Sequence, residues 1–250
     1  MKEKINKLGL SIHQVYITAV LCLFGLLSMI YVALTSNELF SYFYCIATVP
    51  FVALPLVMSG IFKWRMNWLF YLLFTFYACG PLLGAVYNFY YYTSWWDDLL
   101  HLLAGTVFAV VGAELAGVLN KGNKNSYVFA AIFGVLISIS IAVVWEIFEF
   151  SCDTFLGSDM QADTIVDFIN TKINRTDGIV DSYNGITETI VNGQSLGING
   201  YLDIGLIDTM NDMIIETVGA LVFLVYALVD KNKHPMIVGL KNDITCVSEA

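Results

Sequence analysis

Charged residues are scarce in this sequence. Asp, Glu, Lys and Arg make up 13% of its 250 residues, whereas hydrophobic residues make up 58%. A soluble domain carries about 25% charged residues. This scarcity excludes an ordinary soluble globular protein and predicts a polytopic membrane protein. The net charge is −9, so we do not expect nucleic acid as a partner. The hydrophobic composition predicts the lipid bilayer as a partner.

Paired cysteines are also lacking. The five cysteines form no Cys-x-x-Cys motif, and four of them lie in or beside apolar segments or in the C-terminal tail. We interpret them as packing residues, because free cysteine behaves as a small hydrophobic side chain. The sequence therefore contains no disulfide framework on which a small extracellular fold could depend.

Six apolar segments are long enough to cross a bilayer, which takes about 20 residues. They cover residues 13–34, 39–62, 67–90, 98–119, 127–150 and 207–229. We therefore predict an all-α polytopic membrane protein in which residues 1–250 form a single transmembrane domain with six transmembrane helices.

Lys and Arg are absent from all six segments, and their positions between the segments predict the topology. Ten of the 12 basic residues come before span one or after spans two, four and six. They are Lys2, Lys4, Lys7, Lys63, Arg65, Lys121, Lys124, Lys231, Lys233 and Lys241. If successive spans alternate in direction, all ten lie on one side, which the positive-inside rule makes cytoplasmic. We expect both termini in the cytoplasm and the protein in the plasma membrane of a bacterium.

The longest hydrophilic segment is residues 151–206, which the topology places outside the cell between spans five and six. Four dipeptides in it mark turns, namely Asp177-Gly178, Asn184-Gly185, Asn192-Gly193 and Asn199-Gly200. We predict a short helix over 163–170 followed by small hairpins. A connection of this length is seldom idle, so we interpret it as an extracytoplasmic cap insert.

Carboxylates collect at the expected outer ends of the last three spans. Span four opens with Asp97, Asp98 and His101, span five closes with Glu146, Glu149 and Asp153, and span six opens with Asp208, Asp212 and Glu216. Spacings of three, four or seven residues place the members of each set on one helical face. The three helices therefore bring eight carboxylates and one imidazole to one depth of the membrane.

Such a cluster needs compensating charge. An ionised acid at the centre of a spanning helix costs about 2.5–3.5 kcal/mol on insertion scales, and neighbouring anions repel one another. Since no span supplies Lys or Arg, only His101, Lys172 and Arg175 could serve as local counter-ions, and several of the acids must be protonated or bridged by cations. Carboxylates combined with an imidazole are typical ligands of divalent metal ions. We predict such a site with Asp98, His101, Glu149, Asp153, Asp208 and Asp212 as ligands.

Helix capping is the simpler interpretation of some of these acids. Asp97, Asp98 and Asp208 stand at the N-terminal ends of spans, where the helix dipole favours anions. Glu146 and Glu149 stand instead near the C-terminal end of span five, where the dipole disfavours anions. We therefore interpret these two acids as functional residues. Glu114 lies near the opposite end of span four; we interpret it as a structural hydrogen-bonding residue, with half of a proton path as the alternative.

At this point the motifs resemble a known family. The order of Asp97 and Asp98 with His101, then Trp145, Glu146 and Glu149, then Asp208, Thr209, Asp212, Met213, Gly219 and Ala220 resembles the uncharacterised inner-membrane family typified by YjdF. The resemblance covers roughly residues 95–225. A looser similarity is to VanZ-like membrane proteins, through the spacing of Asp212, Glu216 and Gly219, although Glu216 stands where Asn is usual. Neither resemblance implies an established activity.

One ambiguity remains inside the motif. Residues 163–167 repeat the Asp-Thr-x-x-Asp pattern of residues 208–212, so either Asp163 with Asp167 or Asp208 with Asp212 carries the family role. We favour Asp208 and Asp212 because Gly219-Ala220 follows them at the distance that the resemblance requires.

Three hypotheses for function follow. The first is a metal-dependent hydrolase acting on a lipid or lipid-linked substrate, with Glu146, Glu149 and His101 as catalytic residues and Lys172 or Arg175 folding back to hold a phosphate group. The second is a transporter coupled to protons or divalent cations, with Glu114 completing the route. The third is a structural or interaction protein that works through its insert. Replacing Glu114 should impair transport but spare hydrolysis.

Overall fold

The computed structural model describes residues 11–36, 38–62, 67–119, 127–173 and 175–229. Seven helices lie in these ranges: α1 Ile12–Thr35, α2 Leu39–Phe62, α3 Trp68–Val86, α4 Phe89–Tyr92, α5 Trp96–Leu119, α6 Tyr127–Leu156 and α7 Leu206–Val229. Six strands lie between α6 and α7: β1 Thr164–Val166, β2 Phe168–Thr171, β3 Asp181–Asn184, β4 Ile190–Val191, β5 Gln194–Ser195 and β6 Tyr201–Asp203.

Six of the helices are between 19 and 30 residues long and apolar enough to cross a membrane. They are α1, α2, α3, α5, α6 and α7, one for each predicted span. The prediction of an all-α polytopic membrane protein is therefore confirmed. Ten of the basic residues that predict the orientation lie outside the described residues, so the cytoplasmic placement of both termini stays a prediction.

Two helices end at points that differ from the sequence-based boundaries. Helix α3 ends at Val86, because Asn88 adopts a left-handed conformation with φ 62° before the short helix α4. Helix α6 continues to Leu156, beyond the expected end at residue 150. Gly157 follows with φ 66°, the left-handed conformation that commonly terminates a helix.

The chain divides into two compact units, each described here by itself. The first comprises Met1–Ala142 with Ile215–Ala250, and the second comprises Val143–Ile214. The first unit contains α1 to α5 with parts of α6 and α7. Its apolar core includes Phe70, Phe74, Val107, Val110 and Phe223, which are all at most 5% exposed.

Glycines bring α5 and α7 into backbone contact in the first unit. A Cβ atom on Gly105 would lie 2.0 Å from the carbonyl oxygen of Glu216. A Cβ atom on Gly219 would lie 2.1 Å from the carbonyl oxygen of Leu102. The Thr106 hydroxyl adds a hydrogen bond to the carbonyl oxygen of Gly219 at 3.0 Å. Close approach of this kind is how small residues hold spanning helices together where lipid supplies no hydrophobic driving force.

Helices α5 and α6 meet in the same way. A Cβ atom on Gly134 would lie 2.2 Å from the carbonyl oxygen of Ala109, and Gly112 packs against Gly134 and Ile137. The buried Ser138 hydroxyl donates to the carbonyl oxygen of Gly105 at 3.0 Å. Helix α5 is therefore held against both of its later neighbours through its glycine positions.

The second unit contains the insert, residues 157–205. Strand β1 pairs antiparallel with β6, with Thr164 opposite Asp203 and Val166 opposite Tyr201, so the two ends of the insert are joined. Strands β2 and β3 pair, as do β4 and β5 around Asn192-Gly193. The positive φ angles at these two residues, 53° and 79°, are those that a two-residue hairpin turn requires.

The predicted hairpins are confirmed, but the predicted helix over 163–170 is wrong. Strands β1 and β2 occupy that segment instead. Its residues Thr164, Ile165 and Val166 are all β-branched, which favours extended structure once a partner strand is present. That partner, β6, lies 35 residues further along the chain, so local sequence gave no sign of it.

We expect Gly219→Ala to destabilise the protein. Its new methyl group would collide with backbone, which cannot rotate away, and overpacking of this kind costs about 1–3 kcal/mol. The melting temperature in detergent should fall by about 2–10 °C. The matched control is Gly60→Ala in α2, where nothing lies within 4 Å of the added carbon. An equal melting temperature for the two variants would contradict the packing described here.

Candidate functional site

Helix α6 carries two buried acids. Glu146 is 5% exposed and Glu149 is 7% exposed, whereas Ile147, Phe148 and Phe150 between and beside them are exposed. The three-residue spacing of the glutamates places them on one face, and the apolar side chains occupy the other. Because α6 continues to Leu156, both glutamates lie two or more turns before its end. The helix dipole therefore does not disfavour an anion at either position, since its effect is confined to the last turn.

Helix α7 adds a third buried acid to this group. Asp212 is 2% exposed, and one carboxylate oxygen from each of Glu146, Glu149 and Asp212 lies within 4.8 Å of the others. All three residues belong to the second unit. None of the six spanning helices contains Lys or Arg. Three oxygen ligands at this separation could hold a divalent cation of the Mg²⁺, Mn²⁺ or Ca²⁺ type.

Asp153 has a different environment from the other acids of α6. It accepts hydrogen bonds from the Ser158 hydroxyl at 2.7 Å, from the Met160 amide at 2.7 Å and from the Gln161 amide at 2.8 Å. It stands in the last turn of α6, where an anion is unfavourable unless it is hydrogen-bonded. Its carboxylate therefore organises the loop that leaves the helix. Its predicted role as a metal ligand stays a prediction.

Asp208 makes a similar contact at the start of α7. Its Oδ2 accepts a hydrogen bond from the Ala162 amide at 2.7 Å, and the neighbouring Thr209 hydroxyl accepts one from the Gln161 side chain. Asp203 accepts from the Ile207 amide at 2.9 Å at the same end of α7. The acids that begin α7 thus join the insert to the helix, while Asp212, one turn later, is the buried one.

The first unit holds the histidine. His101 is 7% exposed, with Nε2 3.9 Å from Asp97 Oδ1 and Nδ1 3.7 Å from Glu216 Oε2. Asp97 is one turn before His101 on α5, whereas the adjacent Asp98 is exposed. The acid that faces His101 from its own helix is therefore Asp97, although the sequence-based ligand set contained Asp98.

The repeated Asp-Thr-x-x-Asp motif has two different structural contexts. Asp163 and Asp167 flank strand β1 and are exposed, whereas Asp208 and Asp212 lie on one face of α7. Asp212 alone among the four is buried. This difference favours the copy at 208–212 as the one that belongs to a site.

The two basic residues of the insert have different environments. Arg175 donates from Nε to Asp177 at 2.9 Å and from Nη1 to Asp181 at 2.9 Å. The Arg175 guanidinium holds the pKa of Asp177 below its usual value. Lys172 is exposed. The hypothesis that Arg175 folds back onto a phosphate group would require these two bonds to break.

Comparison with known proteins matches residues 16–233 to a family described as "Predicted membrane protein (DUF2238)". The chain belongs to this family. The matched range includes all the acids of α5, α6 and α7 and the whole insert. No curated protein and no solved structure matches the chain. Membership agrees with the expectation of an uncharacterised membrane family, while the resemblances to the YjdF-like and VanZ-like proteins stay predictions.

Asp97 and Glu216 belong to the carboxylate cluster that the sequence predicts, but neither was among the predicted metal ligands or catalytic residues. A signal for each was present. Asp97 and His101 are spaced four residues apart, as are Asp212 and Glu216, and this spacing places each pair on one helical face. The glycines at 105 and 219 gave the further indication that the two helices touch next to these residues.

We expect Asp153→Ala to open the loop that follows α6. Hydrogen bonds to a charged acceptor contribute about 1.5–3 kcal/mol, so amide exchange at Met160 and Gln161 should accelerate about 10- to 100-fold. Hydrogen exchange followed by mass spectrometry would measure this. The matched control is Asp159→Ala in the same loop, because Asp159 is exposed. Unchanged exchange in the Asp153 variant would show that this carboxylate does not hold the loop.

Proposed function

We propose that the protein binds a divalent cation through Glu146, Glu149 and Asp212. The observation that supports this is the convergence of three buried carboxylates within 4.8 Å of one another in helices that contain no basic residue. Oxygen ligands of this kind suit hard cations, and three of them leave coordination positions for water or substrate.

Charge balance supports the proposal. Two carboxylates about 4.8 Å apart repel by about 3–4 kcal/mol at an effective dielectric constant of 20, and burial adds a desolvation cost to each ionised group. Protonation relieves this repulsion but gives up the ion-binding capacity of the oxygens. A divalent cation relieves it while keeping all three groups ionised, so the cluster is well suited to a bound ion.

The use of the cation that we propose first is hydrolysis of a lipid or lipid-linked substrate. The ion would polarise the substrate and lower the pKa of a bound water, and Glu146 would accept the proton from that water. The exposed apolar residues Ile147, Phe148 and Phe150 on the opposite face of α6 are suited to contact with lipid. Because Arg175 is engaged by Asp177 and Asp181, either the cation itself or the exposed Lys172 would have to hold the polar group of the substrate.

Cation or proton transfer is the second candidate, and one observation favours it. Glu114, near the other end of α5, is 7% exposed although it lies within a spanning helix. It follows His101 by 13 residues, which is about 20 Å along a helix. A buried acid at that distance is what a second station for a cation or proton would require.

We expect Glu149→Gln to lose the bound cation. The neutral amide removes one of three anionic ligands, so the affinity for Mn²⁺ should fall at least tenfold. Replacing a residue that only hydrogen-bonds to a metal ligand already lowers metal affinity about 10- to 100-fold. Protein purified in detergent without chelator would be compared by elemental analysis and Mn²⁺ titration. Asp212→Asn should behave in the same way.

Glu188→Gln in the insert is the matched control, because Glu188 is exposed and the substitution is chemically identical. It should bind as much metal as the wild type. If wild type, Glu149→Gln and Glu188→Gln all contain no metal and bind Mn²⁺ equally weakly, the cation site does not exist and the acids have a purely structural or proton-linked role.

We expect Glu114→Gln to separate the two uses of the cation. If the protein is a hydrolase, this substitution should leave Mn²⁺ binding and turnover of a lipid-linked substrate unchanged. If it is a transporter, uptake of Mn²⁺ into proteoliposomes should fall at least tenfold while binding persists. Cation-dependent hydrolysis together with no uptake in the wild type would exclude transport, and uptake without hydrolysis would exclude the enzyme.

A further inference from the structure

Outside the carboxylate site, the imidazole of His101 lies between the carboxylates of Asp97 and Glu216. We propose that His101 and Glu216 form a second metal site, which takes a transition-metal ion through the histidine nitrogen, and that Asp97 positions the imidazole. All three residues belong to the first unit of the chain. The proposal goes beyond the carboxylate site and does not depend on it.

The distances suit an ion bound between His101 and Glu216. Nδ1 of His101 and Oε2 of Glu216 are 3.7 Å apart. Two ligand atoms that each lie about 2.0–2.2 Å from one ion are separated by roughly 3–4 Å. An ion between these two atoms would therefore need only small adjustments of the side chains.

Glu216 supplies an independent indication that something binds there. The residue is 2% exposed, and its Oε1 is buried with no hydrogen-bond partner in the part of the chain that the structure describes. Its carboxylate faces the imidazole through Oε2. An unsatisfied buried carboxylate oxygen costs more than an ordinary lost hydrogen bond, so each such group requires an explanation. A metal ion beside the carboxylate provides one.

The backbone holds this pair of side chains in place. His101 lies one turn before Gly105, and Glu216 offers its own carbonyl oxygen to the close contact at Gly105. The contact between Gly219 and Leu102 fixes the two helices one residue beyond His101. Since neither helix can shift without breaking these contacts, the imidazole and the carboxylate are pre-organised as a pair, which is what a metal site requires.

Asp97 completes the arrangement as a positioning residue. Its Oδ1 lies 3.9 Å from Nε2 of His101, on the side of the ring opposite Glu216. With Nδ1 on the ion, Nε2 would carry the proton and face Asp97, whose carboxylate would have to approach closer than 3.9 Å to accept it. A carboxylate that accepts from the second nitrogen of a metal-bound histidine fixes the ring and strengthens its binding.

The two proposed sites differ in their chemistry. Glu146, Glu149 and Asp212 offer oxygen only, which suits hard cations. His101 adds nitrogen, which favours ions such as Zn²⁺, Fe²⁺ or Ni²⁺. Mn²⁺ prefers oxygen ligands but also accepts an imidazole beside a carboxylate, so it is a probe for both sites, and the nitrogen ligand distinguishes the two sites spectroscopically.

The test is Mn²⁺ binding to the purified full chain in detergent, with stoichiometry from titration and ligand identity from pulsed electron paramagnetic resonance. We expect two ions per chain in the wild type and a coupling from the imidazole nitrogen. Glu216→Gln and His101→Gln should each bind one ion and lose the nitrogen coupling. Glu149→Gln should bind one ion and keep it.

Asp97→Ala and Asp98→Ala form a matched pair that leaves the buried residues intact. The first should weaken Mn²⁺ at the nitrogen-containing site about 10- to 100-fold, and the second should leave it unchanged. If Glu216→Gln fails to fold, His101→Gln decides whether the nitrogen-containing site exists, and this pair decides the role of Asp97. Equal affinities in the two aspartate variants would overturn the role given to Asp97.

Other outcomes separate this proposal from the first. A single ion without nitrogen coupling, lost only in Glu149→Gln, would overturn the second site and leave the carboxylate site standing. A single ion lost only in Glu216→Gln would do the reverse. A single ion whose nitrogen coupling disappears in both variants would overturn a separate second site, and no ion at all would overturn both.

Discussion

The contact between α5 and α7 is the constraint on which the arrangement of the first unit depends. Gly105 and Gly219 leave room for the carbonyl oxygens of Glu216 and Leu102, and any side chain at either glycine would displace backbone rather than a mobile group. In lipid, two helices gain little from apolar contact alone, so packing and the hydrogen bond from Thr106 have to hold them. The separation of His101 from Glu216 follows from that contact, since both residues lie within a turn of it.

The acids of α6 and α7 have two kinds of environment. Asp153 and Asp208 receive backbone amide hydrogen bonds at the junctions between helices and insert, which is the ordinary way to stabilise a carboxylate at a helix end. Glu146, Glu149 and Asp212 lie deeper and face one another. The first environment is explained by local structure. The second brings like charges together, and only protonation or a counter-ion makes that arrangement favourable.

Much of the fold could be predicted because each spanning helix is marked by its own continuous apolar segment. Continuous apolar segments mark the helices, and Asn192-Gly193 marks a hairpin, since both signals are local. The segment 163–170 was misread because β1 depends on β6, a partner that no local pattern reveals. Asp97 was passed over in favour of Asp98 because a three-residue and a four-residue spacing both suit one helical face, and only the packing of α5 decides which acid faces His101.

The position of Glu146 and Glu149 carries the functional argument further than the sequence did. The sequence predicted that both glutamates lie near the C-terminal end of the helix, where the dipole disfavours anions, and that position was the reason to interpret them as functional. Helix α6 continues to Leu156, so Asp153 is the acid in its last turn, and the two glutamates lie within the helix. Well-packed apolar side chains of similar volume often replace buried charged groups with no loss of stability. Acids in such positions do not serve the fold best, and this is why an acid buried within a spanning helix is a candidate functional residue.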